Sequence, residues 1–328
     1  MDQQNNGLVV ICGASAGVGR ATAQRFAAAG YRIGLLARDE AGLESTRDEL
    51  AQYGQAVKAI SVDVADAPAL EAAAIALEEE LGPLQIWVNS AMVTVFSPIE
   101  KLTAEEIRRV TEVTYLGTVH GTLAALRLMR PRNAGLIIQV GSALAYRAIP
   151  LQSAYCAAKF AVRGFTDALR CELLHERSRI RVCMVQLPAI NTPQFDWARN
   201  KLEKRPQPVP PIHDPDVAAR AIFSVIQRPP RELWLGMASI KAIVGSCLIP
   251  GLLDRMLARQ CYPGQMSKED DNGEHGDNLY QPLSGDLHRA RGRFVGRSRD
   301  SALALTSTQV SALAAALAVV GALVLLWF

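Results

Sequence analysis

Up to about residue 190 the chain alternates short, β-branched apolar runs with longer amphipathic stretches. The runs LVVICGA, RIGLLAR, AVKAISVDV, LQIWVNS, GLIIQVGS and RIRVCMVQLP read as strands. The stretches between them predict helices from Gly19 to Ala29, Ala41 to Tyr53, Ala69 to Leu81, Ala104 to Met129 and Ser153 to His175. Strands this apolar must be covered on both faces, and parallel strands need crossover connections. The count therefore predicts an α/β domain, a doubly wound sheet of six or seven parallel strands. A last helix (Asp216 to Gln227) and strand (Glu232 to Leu235) close it, and the proline-rich stretch from Thr192 to Pro215, with PQPVPP near its centre, reads as a loop or lid over the sheet.

Beyond the domain the pattern changes three times. Ala238 to Leu257 is apolar and broken at Pro250-Gly251, which is equally compatible with a helical pair packed on the domain, a wall of a substrate pocket and an element at a membrane surface. Gly264 to Ser301 turns polar and glycine-rich, first acidic (KEDDNGEHGD) and then basic (HRARGRFVGRSR), the composition of a linker in which no core forms. Val310 to Phe328 carries no charge, and its 19 residues span about 28 Å as a helix, close to the hydrocarbon thickness of a bilayer. Only Ser311 and Gly321 interrupt it, so a transmembrane helix is expected ahead of a buried dimer helix, which would keep a polar face. The five arginines between Arg289 and Arg299 then hold the large domain on the cytoplasmic side of a single-pass anchor. The expected organisation is a domain over 1–263, a polar linker over 264–308 and an anchor over 309–328.

Composition narrows the function classes. Of 328 residues 49% are apolar and 20% charged, enough for a substantial core, and a net charge of +3 without a long basic stripe argues against nucleic acid. The six cysteines form no CxxC pair, which points to a reduced setting, and the five histidines show no metal-ligand spacing. The N-terminus lacks a basic region and runs straight into a glycine-rich turn, so it reads as a strand and not a signal peptide.

The candidate chemistry lies at strand ends. Gly13, Gly17 and Gly19 in CGASAGVG follow a predicted strand and open a predicted helix, where glycine lets the backbone approach a pyrophosphate and the helix N-terminus meets its charge. The second strand ends in Ala37-Arg38 with no acid at its end, and an arginine there suits a 2′-phosphate better than a 2′-hydroxyl. Tyr155 and Lys159 stand at i and i+4 on one helix face, where an ammonium beside a phenol is expected to lower the phenol pKa toward the working range. Ser142, thirteen positions before Tyr155 at a strand end, can bond the same substrate oxygen.

With these residues in place, the chain from about Leu8 to Gly236 resembles the classical short-chain dehydrogenases/reductases, a family with a Rossmann-type sheet. CGASAGVG is similar to the family's TGxxxGxG cofactor loop, Asp63 in VDV to its adenine-contacting acid, Asn89-Ser90-Ala91 to its NNAG strand end, and SALAYRAIPLQSAYCAAK to its Ser…YxxxK segment. The resemblance implies Ser142, Tyr155 and Lys159 as catalytic residues. It implies cofactor contacts from Gly13, Ser15, Gly17, Val18, Gly19, Arg38, Asp63, Asn89, Tyr155, Lys159, Pro188 and Thr192. The chain departs from the pattern with Cys12 for Thr, Ser90-Ala91-Met92 for NAG, Ala189 for Gly, and Thr114 where a water-holding Asn of the proton relay is usual. Thr114 is thus a candidate member of the relay.

The expected activity is interconversion of a carbonyl and an alcohol with NADP(H), on an apolar or lipid-like substrate that the anchor keeps near a membrane. Homo-oligomers are common in the resembled family. The departures at Thr114 and Ser90 motivate an alternative, a membrane-tethered NADP(H)-binding scaffold or sensor with little turnover, against which the complete Ser142, Tyr155 and Lys159 set argues.

Overall fold

In a computed structural model, the described residues are 6–273, 276–283, 285–313, 315 and 316. Strands and helices alternate: β1 (Asn6–Cys12), α1 (Gly17–Ala28), β2 (Tyr31–Ala37), α2 (Glu40–Leu50), β3 (Val57–Ser61), α3 (Ala67–Leu81) and β4 (Leu84–Asn89). There follow α4 (Ala104–Val110), α5 (Gly117–Met129), β5 (Leu136–Ser142), α6 (Ser153–His175), β6 (Arg181–Leu187), α7 (Pro215–Ser224), β7 (Glu232–Leu235), α8 (Met237–Leu248), α9 (Pro250–Gly264) and β8 (Ala304–Thr306). The main sheet runs β8-β7-β6-β5-β4-β1-β2-β3. All its neighbours are parallel except β7 and β8, which pair antiparallel with Trp234 opposite Leu305.

The order reverses at β1, the switch point where an open α/β sheet leaves a crevice beyond the strands' carboxyl ends. Apolar residues line both faces. On one side Val9, Ile11, Ile33 and Leu35 pack with Phe26 of α1 and Ile222 of α7. On the other, Leu8, Val10 and Trp87 pack with Leu77 of α3 and Ala125 of α5. Short polar side chains start the helices that end in this core: Asp39 accepts from the Gly42 amide at α2, Asp66 from Ala69 at α3, and Thr103 with Glu106 closes a capping box on α4.

The structure departs from the expected elements in three places. The long helix from Ala104 to Met129 contains a π-helical turn, Thr111–Leu116, between α4 and α5. The stretch from Thr192 to Pro215 is not a bare loop: Ile212–His213 pairs with Ala189–Ile190, Arg199–Asn200 with Val95–Phe96, and Lys204–Pro206 with Met266–Asp270.

The third departure concerns the polar linker expected over 264–308. Its described residues fold onto the domain: Met266–Asp270 and Ser298–Arg299 pair with the 204–213 region, β8 extends the main sheet, and Leu279 is fully buried. Backbone pairing and ion pairs hold this segment where apolar residues are sparse. Asp277 takes Arg199 at 2.8 Å, Arg291 takes Asp214 at 2.6 Å and Arg293 takes Asp196. The expected anchor over 309–328 lies largely outside the described residues, and among those described no helix is long and apolar enough to cross a membrane.

Candidate active site

The glycine loop between β1 and α1 is shaped by two constraints that side chains would break. Gly17 has φ of +58°, and a Cβ on Gly19 would stand 2.1 Å from the Gly13 carbonyl oxygen. The loop thus lies flat across the sheet switch point with α1 leaving from it, and α1 starts with no side-chain cap and no acid in its first turn. That leaves its amino end positively polarised toward the crevice.

A cavity of about 460 Å³ opens there. Gly13, Ser15, Gly17, Val18, Gly19, Arg38 and Asp63 line one half; Ser142, Tyr155, Lys159, Pro188 and Thr192 line the other. The remaining wall is largely apolar and includes Met92, Phe96, Leu144 and Ile149. Ala238 and Ala242 of α8 and Leu257 and Cys261 of α9 also face it, so among the readings left open for 238–257 the structure makes these helices a pocket wall. Among the described residues no group of three or more His, Cys, Asp or Glu side chains could hold a metal.

Ser142 ends β5, and its hydroxyl accepts from the Leu144 amide at 3.1 Å, which fixes it at the cavity edge. Helix α6 carries Tyr155 and Lys159 on its cavity face. The Lys159 ammonium is buried, donates to the Val140 carbonyl at 2.8 Å and lies 5.7 Å from the centroid of the Tyr155 ring. Burial pushes its pKa down to about 8.

The electrostatics of Tyr155 differ from the expectation that Lys159 would lower its pKa. Burial pushes the phenol well above its usual range, and the hydrogen bond with Ser142 works only partly against that. The Lys159 ammonium is engaged with the Val140 carbonyl, and desolvation is the largest effect on the phenol. A phenol in this state keeps its proton throughout the neutral range.

Two expected site residues face elsewhere. Thr114, on the π-helical turn, is fully buried; its hydroxyl donates to the Val93 carbonyl at 3.0 Å and accepts from the Val93 amide at 3.1 Å. It does not line the cavity and its one donor is taken, so it holds the loop after β4 rather than a relay water. The Asn89 side chain is enclosed in a network with Trp87 (2.8 Å), Gln139 (2.9 Å) and Thr122 (3.1 Å), which ties β4 to β5 and α5. The neighbouring Ser90 and Ala91 reach the cavity instead.

Arg38 and Asp63 are where the sequence put them, each with a partner the sequence did not reveal. Arg109 of α4 pairs with Asp63, and Arg38 donates to main-chain carbonyls at 278–280. His288 lies 3.2 Å from Asp39 and also lines the cavity. No local pattern announces these contacts, because the partners lie 46 and about 240 positions away.

The comparisons agree with this fold. A family profile described as "short chain dehydrogenase" matches residues 7–203. The uncharacterized oxidoreductase YxnA of Bacillus subtilis is 30% identical over 294 residues, 89% of this chain and 83% of that protein. The 3-dehydrosphinganine reductase of Danio rerio is 33% identical over 58% of each chain. Among solved structures, a short-chain dehydrogenase of Streptomyces avermitilis superposes with a TM-score of 0.66 at 28% identity, covering 80% of this chain and 97% of that one. Actinorhodin polyketide ketoreductase with NADPH superposes with a TM-score of 0.62 at 26% identity, covering 69% and 92%. The chain belongs to the short-chain dehydrogenase family, as an oxidoreductase that works with a nicotinamide cofactor.

Proposed function

We propose that the protein reduces the carbonyl of an apolar substrate with NADPH. The observation that carries this reading is the convergence of Ser142, Tyr155 and Lys159 on one apolar-walled cavity that the glycine loop also lines. When bound, the cofactor supplies the hydride. The residues present fit a dinucleotide: the loop from Gly13 to Gly19 offers backbone and the α1 amino end to its pyrophosphate, and Lys159, Pro188 and Thr192 stand on the side of the reacting ring. Arg38 gives the preference for a 2′-phosphate, and the likeness to the actinorhodin ketoreductase with NADPH and to an alcohol dehydrogenase of Thermococcus sibiricus complexed with 5-hydroxy-NADP (27% identity, TM-score 0.61) supports that choice.

In this reading Tyr155 gives its proton to the carbonyl oxygen, Ser142 polarises the same oxygen, and Lys159 holds the cofactor's ribose while keeping positive charge beneath the phenol. A phenol that holds its proton is in the protonation state that reduction requires. The apolar wall, and the likeness to a 3-dehydrosphinganine reductase, support a lipid-like substrate. The uncharged run Val310 to Phe328 remains our proposed single-pass anchor, with the domain on the cytoplasmic side.

Fluorescence titration with NADPH and NADH tests the cofactor, and a carbonyl screen tests the chemistry. NADPH is expected to bind at least tenfold more tightly than NADH, with Arg38→Ala removing the difference. Tyr155→Phe is expected to bind NADPH like the wild type and to lose about 10²–10⁴-fold in turnover. Equal affinity for the two nucleotides in the wild type would reject NADP(H), and full turnover by Tyr155→Phe would reject the proton donor.

A further inference from the structure

The donors that the cofactor reading assigns to the nucleotide's phosphates already have acceptors, and one stretch of main chain supplies them. The Arg38 guanidinium donates to three consecutive carbonyls, those of Asn278 at 2.5 Å, Leu279 at 3.4 Å and Tyr280 at 3.0 Å. Arg109 donates to the same Leu279 carbonyl at 3.0 Å with one nitrogen and to Asp63 with another. At the amino end of α1 the Gly17 amide donates to the Arg289 carbonyl at 3.0 Å, and Arg20 donates to the His288 carbonyl at 2.5 Å. Leu279 is fully buried between these arginines, and Pro282, Leu283 and His288 line the cavity.

Contacts outside the cofactor cleft fix the segment at both ends. Asp277 pairs with Arg199, the Asn278 amide donates to the Trp197 carbonyl at 2.9 Å, and the Gly292 amide donates to the Asn191 carbonyl at 3.2 Å. These end contacts do not involve Arg38, Arg109, Arg20 or the Gly17 amide, so release of the middle from those donors would leave them in place. Its hold on Arg38 is electrostatically incomplete, since carbonyl oxygens satisfy N–H donors but do not neutralise a guanidinium, and the nearby Asp63 carboxylate is shared with Arg109. A 2′-phosphate, with a charge of about −1.5 to −2 near neutral pH, does both.

We propose that the stretch 277–283 and 285–292 is an intramolecular competitor for the adenosine half of the cofactor cleft, and so a determinant of cofactor choice. A nucleotide enters that half by displacing the carbonyls from Arg38; a 2′-phosphate does this and a 2′-hydroxyl does not. Selectivity for NADP(H) then comes from what must be displaced as well as from what is bound. The inference rests on the NADP(H) reading of Arg38.

Hydrogen exchange of the full chain, read on peptides covering 277–292, is measured alone, with NADPH and with NADH at equal concentration. Titrations of both nucleotides accompany it, on the wild type and on Leu279→Gly, with melting curves to check folding. NADPH is expected to speed exchange in the segment several-fold while NADH leaves it unchanged. Leu279→Gly is expected to tighten NADH about tenfold and NADPH by less, so that the ratio between them shrinks. Should the variant fail to fold, the wild-type exchange result decides alone. Binding of NADPH with exchange in 277–292 unchanged or slowed overturns the competitor and makes the segment a fixed roof, leaving the cofactor reading intact. Binding to the variant but not the wild type supports the competitor in its strongest form. If neither form binds either nucleotide, the cofactor reading falls and the competitor with it.

Discussion

The Lys159 ammonium, enclosed and donating to Val140, has its pKa pushed down by burial to about 8 from 10.5. If it holds an anionic cofactor, NADPH affinity should be level below about pH 8 and fall as the pH rises through it, because the free protein loses the charge there. Titrations from pH 6.5 to 9.5 check this, and Lys159→Met is expected to bind more weakly at pH 7 and to show no such fall. A variant with the same pH dependence would assign the titration to another group. The same shift acts on stability with its own sign. Between about 8 and 10.5 the unfolded chain holds this proton while the folded one does not, so this group's contribution to stability rises with pH across that window. Tyr155 acts oppositely above its unperturbed 10.0, since its folded pKa is raised and the unfolded chain deprotonates first.

Among the elements, the turn from β1 into α1 has the least room to vary. A Cβ on Gly19 meets the Gly13 carbonyl oxygen at 2.1 Å and the Gly13 carbonyl carbon at 2.8 Å, both backbone. Gly19→Ala is expected to shift the loop by several tenths of an ångström or more, to weaken NADPH at least tenfold, and to lower the melting temperature by a few degrees, equivalent to about 1 kcal/mol or more. Calorimetry and titration on one preparation check both. This turn was legible in the sequence because its glycines sit between a strand and a helix. The alternation that sets β1 to β7 was legible for a similar reason: period and apolar content are local. That Ser142, Tyr155 and Lys159 face one cavity was likewise legible from their spacing on one strand end and one helix face. The roles of Thr114 and Asn89 were not, because a hydroxyl or amide points into a cavity or a core according to the turn beneath it, and no pattern marks the π-helical turn at Thr111–Leu116. The stretch 264–308 was read as a linker because the order of its described residues comes from main-chain pairing and from arginines far away in the chain, which leave no periodic trace.

For the whole molecule, the returning tail changes the exposed edge of the sheet. β7 has only four residues, and β8 covers it through three antiparallel pairs, with Trp234 opposite Leu305. A bare edge strand invites pairing with another chain. Leu305→Pro removes a ladder donor and should detach β8, with a loss of about 1–2 kcal/mol, a melting temperature lower by roughly 2–5 °C, and concentration-dependent association in light scattering. A variant that stays at the wild-type size with an unchanged melting curve would show that β8 does not guard the edge.

The position of the 277–292 cover so late in the chain has a consequence for biosynthesis. The residues from Gly13 to Asp63 that line the glycine-loop half of the crevice are translated early, and the last parallel strand by Leu235, 42 residues (277 minus 235) before the cover begins. At about 5–20 residues per second the ribosome needs roughly 2–8 s to add those residues. During that interval a nascent domain can take up its nucleotide before the segment that would contest the site has been made.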